Sequence, residues 1–226
     1  MVLLTRYIGR TGIPAFEEGA VLINPTASPG WKFAVIAFLS HKSALPGKMV
    51  HADASNFGAN VTKEEAYKQV LEQAEGLFDG QRNWVCNLAN TASLLWHAYH
   101  SLPSPSSAVN WAGFYTLDPS SATRQQLILG PFQGKVACQT IAFGRGVCGA
   151  AAAQKQTQLV ADVDKFPGHI ACDADSRSEV VVPVLDSEGQ LRAIIDVDCA
   201  LPDGFDEVDR VWLESLAALV GRSCDW

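Results

Sequence analysis

Apolar residues in this chain change their spacing part-way along, and the change divides it into elements. Thr62, followed three residues later by Glu65, is a capping-box pattern, and "KEEAYKQVLEQAEGLF" continues it with apolar residues at helical spacing. After the polar "DGQ", the segment "NWVCNLANTASLLWHAYHSL" predicts a second helix with Leu88, Ala92, Leu95 and Ala98 on one stripe, ended by "PSPSS". Two helices joined by a short polar turn predict an antiparallel hairpin laid against something flat. From residue 108 the repeat shortens. "AVNWAGFYTLD", "QQLILGPFQG", "CQTIAF", "TQLVADV", "SEVVVPVLD" and "QLRAIIDVDC" are short, rich in β-formers and separated by turn residues. "DSEG" (186–189) between the last two is a hairpin signal. A closing helix starts around "PDGFDE", with Val208, Val211, Trp212, Leu216 and Leu219 on its expected apolar face. The expected fold is α+β: a mostly antiparallel sheet of about six strands, with the helical hairpin and the closing helix packed on one face.

Residues 1–48 lack this regularity. Their one apolar run, "FAVIAFLS" (33–40), is too short to span a bilayer and lies too far from Met1, behind Pro- and Gly-containing sequence, for an ordinary signal peptide. They are expected to form a dispensable extension, or else an edge strand and loops, ahead of a domain over residues 49–226. Composition narrows the partners. Apolar residues at 48% supply a real core, and a formal net charge of −7 with no Lys/Arg run argues against nucleic acid or an anionic membrane. Six cysteines in 226 residues are too dilute for a disulfide-stapled secreted scaffold, and no C-x-x-C supports a structural zinc. The expected setting is the reducing cytoplasm.

Several residues carry candidate chemistry. In "NWAGFY", Trp111, Gly113 and Tyr115 point to one side of a strand, and two large aromatics flanking a glycine outline a hollow for a small, partly apolar ligand. The competing reading is a glycine packed over by its neighbours. Asp196 and Asp198 in "IIDVDC" share one face of a strand that otherwise reads as buried. Either that face meets solvent, or the carboxylates need cationic or hydrogen-bonding partners, which an ammonium-bearing ligand would supply. Glu179, taken alone, is an exposed charge at a strand start. Beside the cysteines and held partly from water, it would be a proton donor.

Three cysteines lie close together, Cys138, Cys148 and Cys172. Singly, each is a packing residue, a metal ligand or a reagent. Cys148, where "GRGVCGAAAA" passes from glycines to helix formers, is expected in the first turn of a helix, whose dipole lowers a thiol pKa. Cys172 follows the turn "PGHIA" and precedes the polar "DADSRS", so an accessible loop is expected, with His169 near in sequence. Cys138 begins or precedes a strand. Cys86 and Cys199 read as packing residues, and Cys224 as incidental.

The spacing Cys138-x9-Cys148-x23-Cys172, inside "GPFQGKVACQTIAFGRGVCG" and "FPGHIACDADSRSEVVVPV", resembles that of the free methionine-(R)-sulfoxide reductases, which are single-domain GAF proteins. The resemblance covers about residues 49–226, including "NWAGFY" and "IDVDC"; ordinary GAF sensors share the fold without the three cysteines. It implies a GAF-like fold and thiol reduction of free L-methionine-(R)-sulfoxide with no bound cofactor and no metal. By resemblance, Cys172 is the nucleophile that is left as a sulfenic acid, Cys138 the resolving partner that closes a disulfide, and Cys148 a third thiol for exchange. Thioredoxin then restores the thiols. Trp111 and Tyr115 enclose the S-methyl end, while Glu179, Asp196 and Asp198 hold the ammonium and polarise the sulfoxide oxygen. Neither nucleic acid nor membrane is an expected partner, and a homodimer is compatible with the reading. The competing functional class is a GAF module that binds a small ligand or senses redox state without turnover.

Overall fold

A capped helical hairpin leads into the sheet. The computed structural model describes residues 56–58, 60–123, 125–168 and 174–226, so the expected extension over residues 1–48 lies outside the described residues. Helix α1 (Lys63–Phe78) begins at a complete capping box: Thr62 Oγ1 accepts from the Glu65 N–H at 3.2 Å, and the Thr62 N–H donates to Glu65 Oε2 at 2.9 Å. Two otherwise orphaned donors are satisfied there. Helix α2 (Trp84–Ser101) starts at Asn83, whose Oδ1 accepts from the Cys86 N–H at 3.1 Å. The expected stripe Leu88, Ala92, Leu95 and Ala98 is buried throughout. Cys86 is not the packing residue the sequence suggested. It lies in the first turn of α2 and is exposed, one position short of the buried Asn87–Leu88 edge.

All six expected strands form: β1 (Val109–Leu117), β2 (Gln126–Gly134), β3 (Thr140–Ala142), β4 (Gln158–Val160), β5 (Ser178–Leu185) and β6 (Leu191–Cys199). They make one sheet in the order β3-β2-β1-β6-β5-β4, antiparallel at every pairing. The β5–β6 turn is the expected "DSEG", where Asp186 Oδ1 accepts from the Glu188 and Gln190 N–H groups, each at 2.9 Å. Helix α3 (Gly146–Gln154) lies between β3 and β4 in the chain, and helix α4 (Glu207–Ser223) closes it. Among the described residues no helix is long and apolar enough to cross a membrane.

Strand alternation sorts the side chains into two cores. On one face Ala112, Phe114, Val180, Val182, Ile195 and Val197 pack with α1, α2 and α4. On the other, Trp111, Tyr115, Val181 and Ile194 pack with Val147, Cys148, Ala151 and Ala152 of α3. Each large aliphatic side chain fully buried this way contributes about 1.5–3 kcal/mol. The apolar face of α4 is rotated from the one expected. Val211 is 52% exposed, whereas Asp209, Leu213, Leu216, Ala217 and Val220 are buried. A buried charge accounts for the rotation: Asp209 turns inward to Lys63 Nζ (2.6 Å) and Tyr67 OH (2.8 Å), a pairing that apolar periodicity does not register.

Candidate functional site

The register of the central strands assembles an acidic patch on the α3 face of the sheet. Across β1, β6 and β5, one row reads Trp111–Asp198–Glu179 and the next Gly113–Asp196–Val181. Residues directly opposite in an antiparallel pair share a face, so Glu179 and Asp198 stand as a like-charged cross-strand pair with Asp196 diagonal to Glu179. Such a pair destabilises a sheet unless something else compensates it. Glu179 and Asp196 are buried (6% and 5% exposed) and Asp198 is half-buried. The exposed strand-start charge suggested for Glu179 in isolation is therefore not what the sheet makes of it, because α3 covers that end of β5.

Helix α3 brings the sulfur. Gly149 lets the helix close on β3, since a Cβ there would lie 2.4 Å from the Ala142 carbonyl oxygen. Cys148, one residue earlier, then points down at the carboxylates, and its Sγ–H donates to Glu179 Oε1 at 3.4 Å. The Cys148 sulfur and one oxygen each from Glu179 and Asp196 lie within 4.8 Å of one another. Cys148 does sit in the first helical turn, but the expected lowering of its pKa is overturned. Burial pushes the thiol well above its ordinary value, and Asp196, Glu179 and Asp198 push it further. A helix terminus supplies only about half a charge, less than three nearby carboxylates and the loss of water. The carboxyls respond in kind. Burial, then Asp196 and Asp198, holds Glu179 well above the ordinary range, and burial raises Asp196 to about 6.

A cavity of about 330 Å³ opens over this patch, lined by Cys138, Cys148, Glu179, Asp196 and Asp198 together with Arg145. That volume is at the small end of ligand pockets, roughly 300–1,000 Å³. Cys138, in the connection between β2 and β3, is half-buried and disulfide-bonded, and its carbonyl accepts from Tyr115 OH at 3.0 Å. Cys172 and His169 lie outside the described residues. Trp111 and Tyr115 are both buried and stack at 5.8 Å, with Trp111 Nε1 donating to the Lys135 carbonyl at 3.2 Å. The space over Gly113 between them is not hollow. A Cβ there would lie 2.3 Å from Phe132 Cβ, beside a bulge in β2 where Gly130 and Pro131 together oppose Phe114. The Phe132 ring stacks on Trp111 at 5.2 Å. The pair thus forms a braced wall through which Tyr115 positions the Cys138 backbone.

Five of the eight residues singled out from the sequence, Cys138, Cys148, Glu179, Asp196 and Asp198, line one cavity. Gln126, Thr140, Arg145 and Ser176 line it as well and were not foreseen. Only Arg145, inside "GRGVCG", carried a signal, as the one cation next to Cys148 in the chain.

Known proteins resemble this chain in sequence and fold. The GAF domain family model matches residues 60–223. A free methionine-R-sulfoxide reductase from Saccharomyces cerevisiae is 55% identical over 174 residues, covering 77% of this chain and 94% of that protein. Another of the same name from Escherichia coli is 40% identical over 158 residues, covering 70% and 88%. The X-ray structure of free methionine-R-sulfoxide reductase from Neisseria meningitidis in complex with its substrate is 42% identical. It superposes with a TM-score of 0.66, covering 74% of this chain and 93% of that one.

Proposed function

Since the chain belongs to the GAF-domain family of free methionine-R-sulfoxide reductases, we propose that it reduces free L-methionine-(R)-sulfoxide to L-methionine by thiol chemistry in the cytoplasm. The observation that carries the reading is the convergence of Cys138, Cys148 and three carboxylates on one small cavity. A sulfoxide is a poor electrophile until its oxygen is protonated or strongly hydrogen-bonded. Glu179, held protonated by burial and its acidic neighbours, is the proton donor. Asp196 and Asp198 receive the substrate's ammonium, a cation that a methionine inside a peptide lacks. A peptide would leave those charges unpaired, which is how the site selects the free amino acid.

The nucleophile is Cys172. Its thiolate attacks the sulfoxide sulfur, the sulfoxide oxygen passes to Cys172 as a sulfenic acid, and methionine departs with sulfur reduced by two electrons. The Cys138 thiol then displaces water from the sulfenic acid to close a disulfide, which thioredoxin reopens by dithiol exchange. Two features support this division of labour. Cys148 is held as a thiol by burial and neighbouring charge, which leaves the attack to another cysteine, and Cys138 can carry a disulfide while lining the cavity. Cys148 serves as the third thiol in exchange, and the stacked Trp111 and Tyr115 back the S-methyl end.

Coupling the purified protein to thioredoxin, thioredoxin reductase and NADPH tests the proposal. Free L-methionine-(R)-sulfoxide should drive NADPH oxidation, Cys172→Ser should abolish it, and Cys138→Ser should release about one equivalent of methionine before stalling. Absence of turnover with intact thiols would reassign the cavity to a ligand-binding module. Full steady-state activity in Cys138→Ser would overturn the resolving role.

A further inference from the structure

We propose that Cys148, Glu179 and Asp196 form a site for one divalent cation of the zinc class, and that this cation excludes the amino-acid substrate from the cavity. The three ligands come from three separate elements, α3, β5 and β6, so no local cysteine spacing announces them. Their ligand atoms already lie within 4.8 Å of one another, with Cys148 Sγ and Glu179 Oε1 at 3.4 Å. Zinc bonds of about 2.3 Å to sulfur and about 2.0–2.2 Å to oxygen set ligand atoms roughly 3.3–3.7 Å apart in a tetrahedron. The sulfur–Glu179 edge has that length, and side-chain rotation of about 1 Å closes the others. A second, independent observation points to a ligand here. Asp196 Oδ1 is buried with no hydrogen-bond partner among the described residues, and Asp196 lines the cavity. A buried carboxylate oxygen left unsatisfied costs free energy that a cation recovers.

Donor chemistry selects the cation. One sulfur with two carboxylate oxygens suits zinc, cobalt or cadmium, and disfavours magnesium and calcium, which take oxygen alone. The fourth position opens on the cavity and takes water. Binding requires no redox step: the Cys148 S–H releases its proton to solvent and the sulfur lone pair forms the new bond, as does any carboxyl still protonated. The exclusion of substrate rests on the reductase reading, because it supposes that the substrate's ammonium uses the same carboxylates.

The full-length protein with its Cys138 disulfide intact is titrated with Co²⁺ without thiol reductant. One equivalent should produce a sulfur-to-cobalt charge-transfer band and intense tetrahedral d–d bands, both bleached by one equivalent of Zn²⁺. Cys148→Ser should remove the charge-transfer band. Asp196→Asn, which removes a buried charge, and Glu179→Gln, which exchanges a neutral acid for a neutral amide of the same shape, should both fold, and each should weaken cobalt binding at least tenfold. Cys86→Ser, which removes the exposed thiol of α2, should change nothing. Absence of the bands, their persistence in Cys148→Ser, or their loss in Cys86→Ser overturns the site. These readouts use no substrate, so they stand whatever becomes of the reductase reading. In the thioredoxin assay Zn²⁺ should raise KM with kcat unchanged, and a fall in kcat alone would overturn the exclusion while leaving the site.

Discussion

Two carboxylates in this domain are almost equally hidden from water and could hardly be treated more differently. Asp209, on the helical face of the sheet, is 0% exposed, and Asp196, on the cavity face, is 5% exposed. Both oxygens of Asp209 are engaged. Oδ1 accepts from Tyr67 OH (2.8 Å) with the Tyr99 hydroxyl 3.3 Å away, and Oδ2 accepts from Lys63 Nζ (2.6 Å) and the Asp206 N–H (2.8 Å). The two tyrosine hydroxyls are themselves joined by a hydrogen bond. Asp196 has two acidic neighbours, a thiol, and an oxygen without a partner. Burial exacts a desolvation cost at both places, and among the described residues only Asp209 meets a countercharge. The complete network ties α1 to α4, while the incomplete one leaves its compensation to a ligand. Buried charge alone does not mark a site; buried charge lacking a countercharge does.

Replacing each acid or its countercharge should produce opposite results. Asp196→Asn keeps the shape and removes the charge, so kcat/KM for free methionine sulfoxide should fall on the order of 10³-fold, or about 4 kcal/mol. Its melting temperature should nonetheless rise, because an uncompensated buried charge has gone. Steady-state kinetics beside calorimetry reads both, and an active or destabilised variant would break the contrast. At the other cluster, Lys63→Met strips Asp209 of its cation and should cost about 3 kcal/mol in urea denaturation, with kcat/KM of the folded protein unchanged. Lys63 keeps 19% of its side chain exposed, so the lower end of the range for broken buried pairs applies.

How much of this contrast was legible beforehand depends on the distance along the chain. The helices and all six strands could be read because caps, turn residues and two-residue alternation are local. "IIDVDC" likewise announces that Asp196 and Asp198 share a face. That Glu179 joins them could not be read, since it follows from the β5–β6 register and from the cover that α3 lays over β5. Local sequence predicts the helical turn that holds Cys148 but the opposite electrostatic sense, because the deciding carboxylates are 31 to 50 residues away. Asp209 escaped for the same reason. Lys63 lies 146 positions before it, and an acid inside an apolar stripe looks like an interruption until its partner is known, which is why Val211 was placed on the buried side.

The smallest effect isolates the cavity acid by its proton. Asp196 titrates at about 6 in the folded protein against an ordinary value of 3.8, so between those values the native state binds more protons than the unfolded chain. Linkage then makes this contribution to stability fall as pH rises, with the loss complete above the folded pKa. For one group with that shift, the difference between pH 5 and pH 8 is on the order of 1 kcal/mol in favour of pH 5. Other buried acids contribute to the pH dependence as well, since burial also raises Glu179 and Asp209. The test is therefore a difference: denaturation of the parent protein and of Asp196→Asn at the two pH values. The parent should gain about 1 kcal/mol more on acidification than the variant, whereas Lys63→Met should leave that contribution of Asp196 intact. Equal pH dependence in the parent and Asp196→Asn would mean that Asp196 is already compensated, and the distinction between the two buried acids would fail.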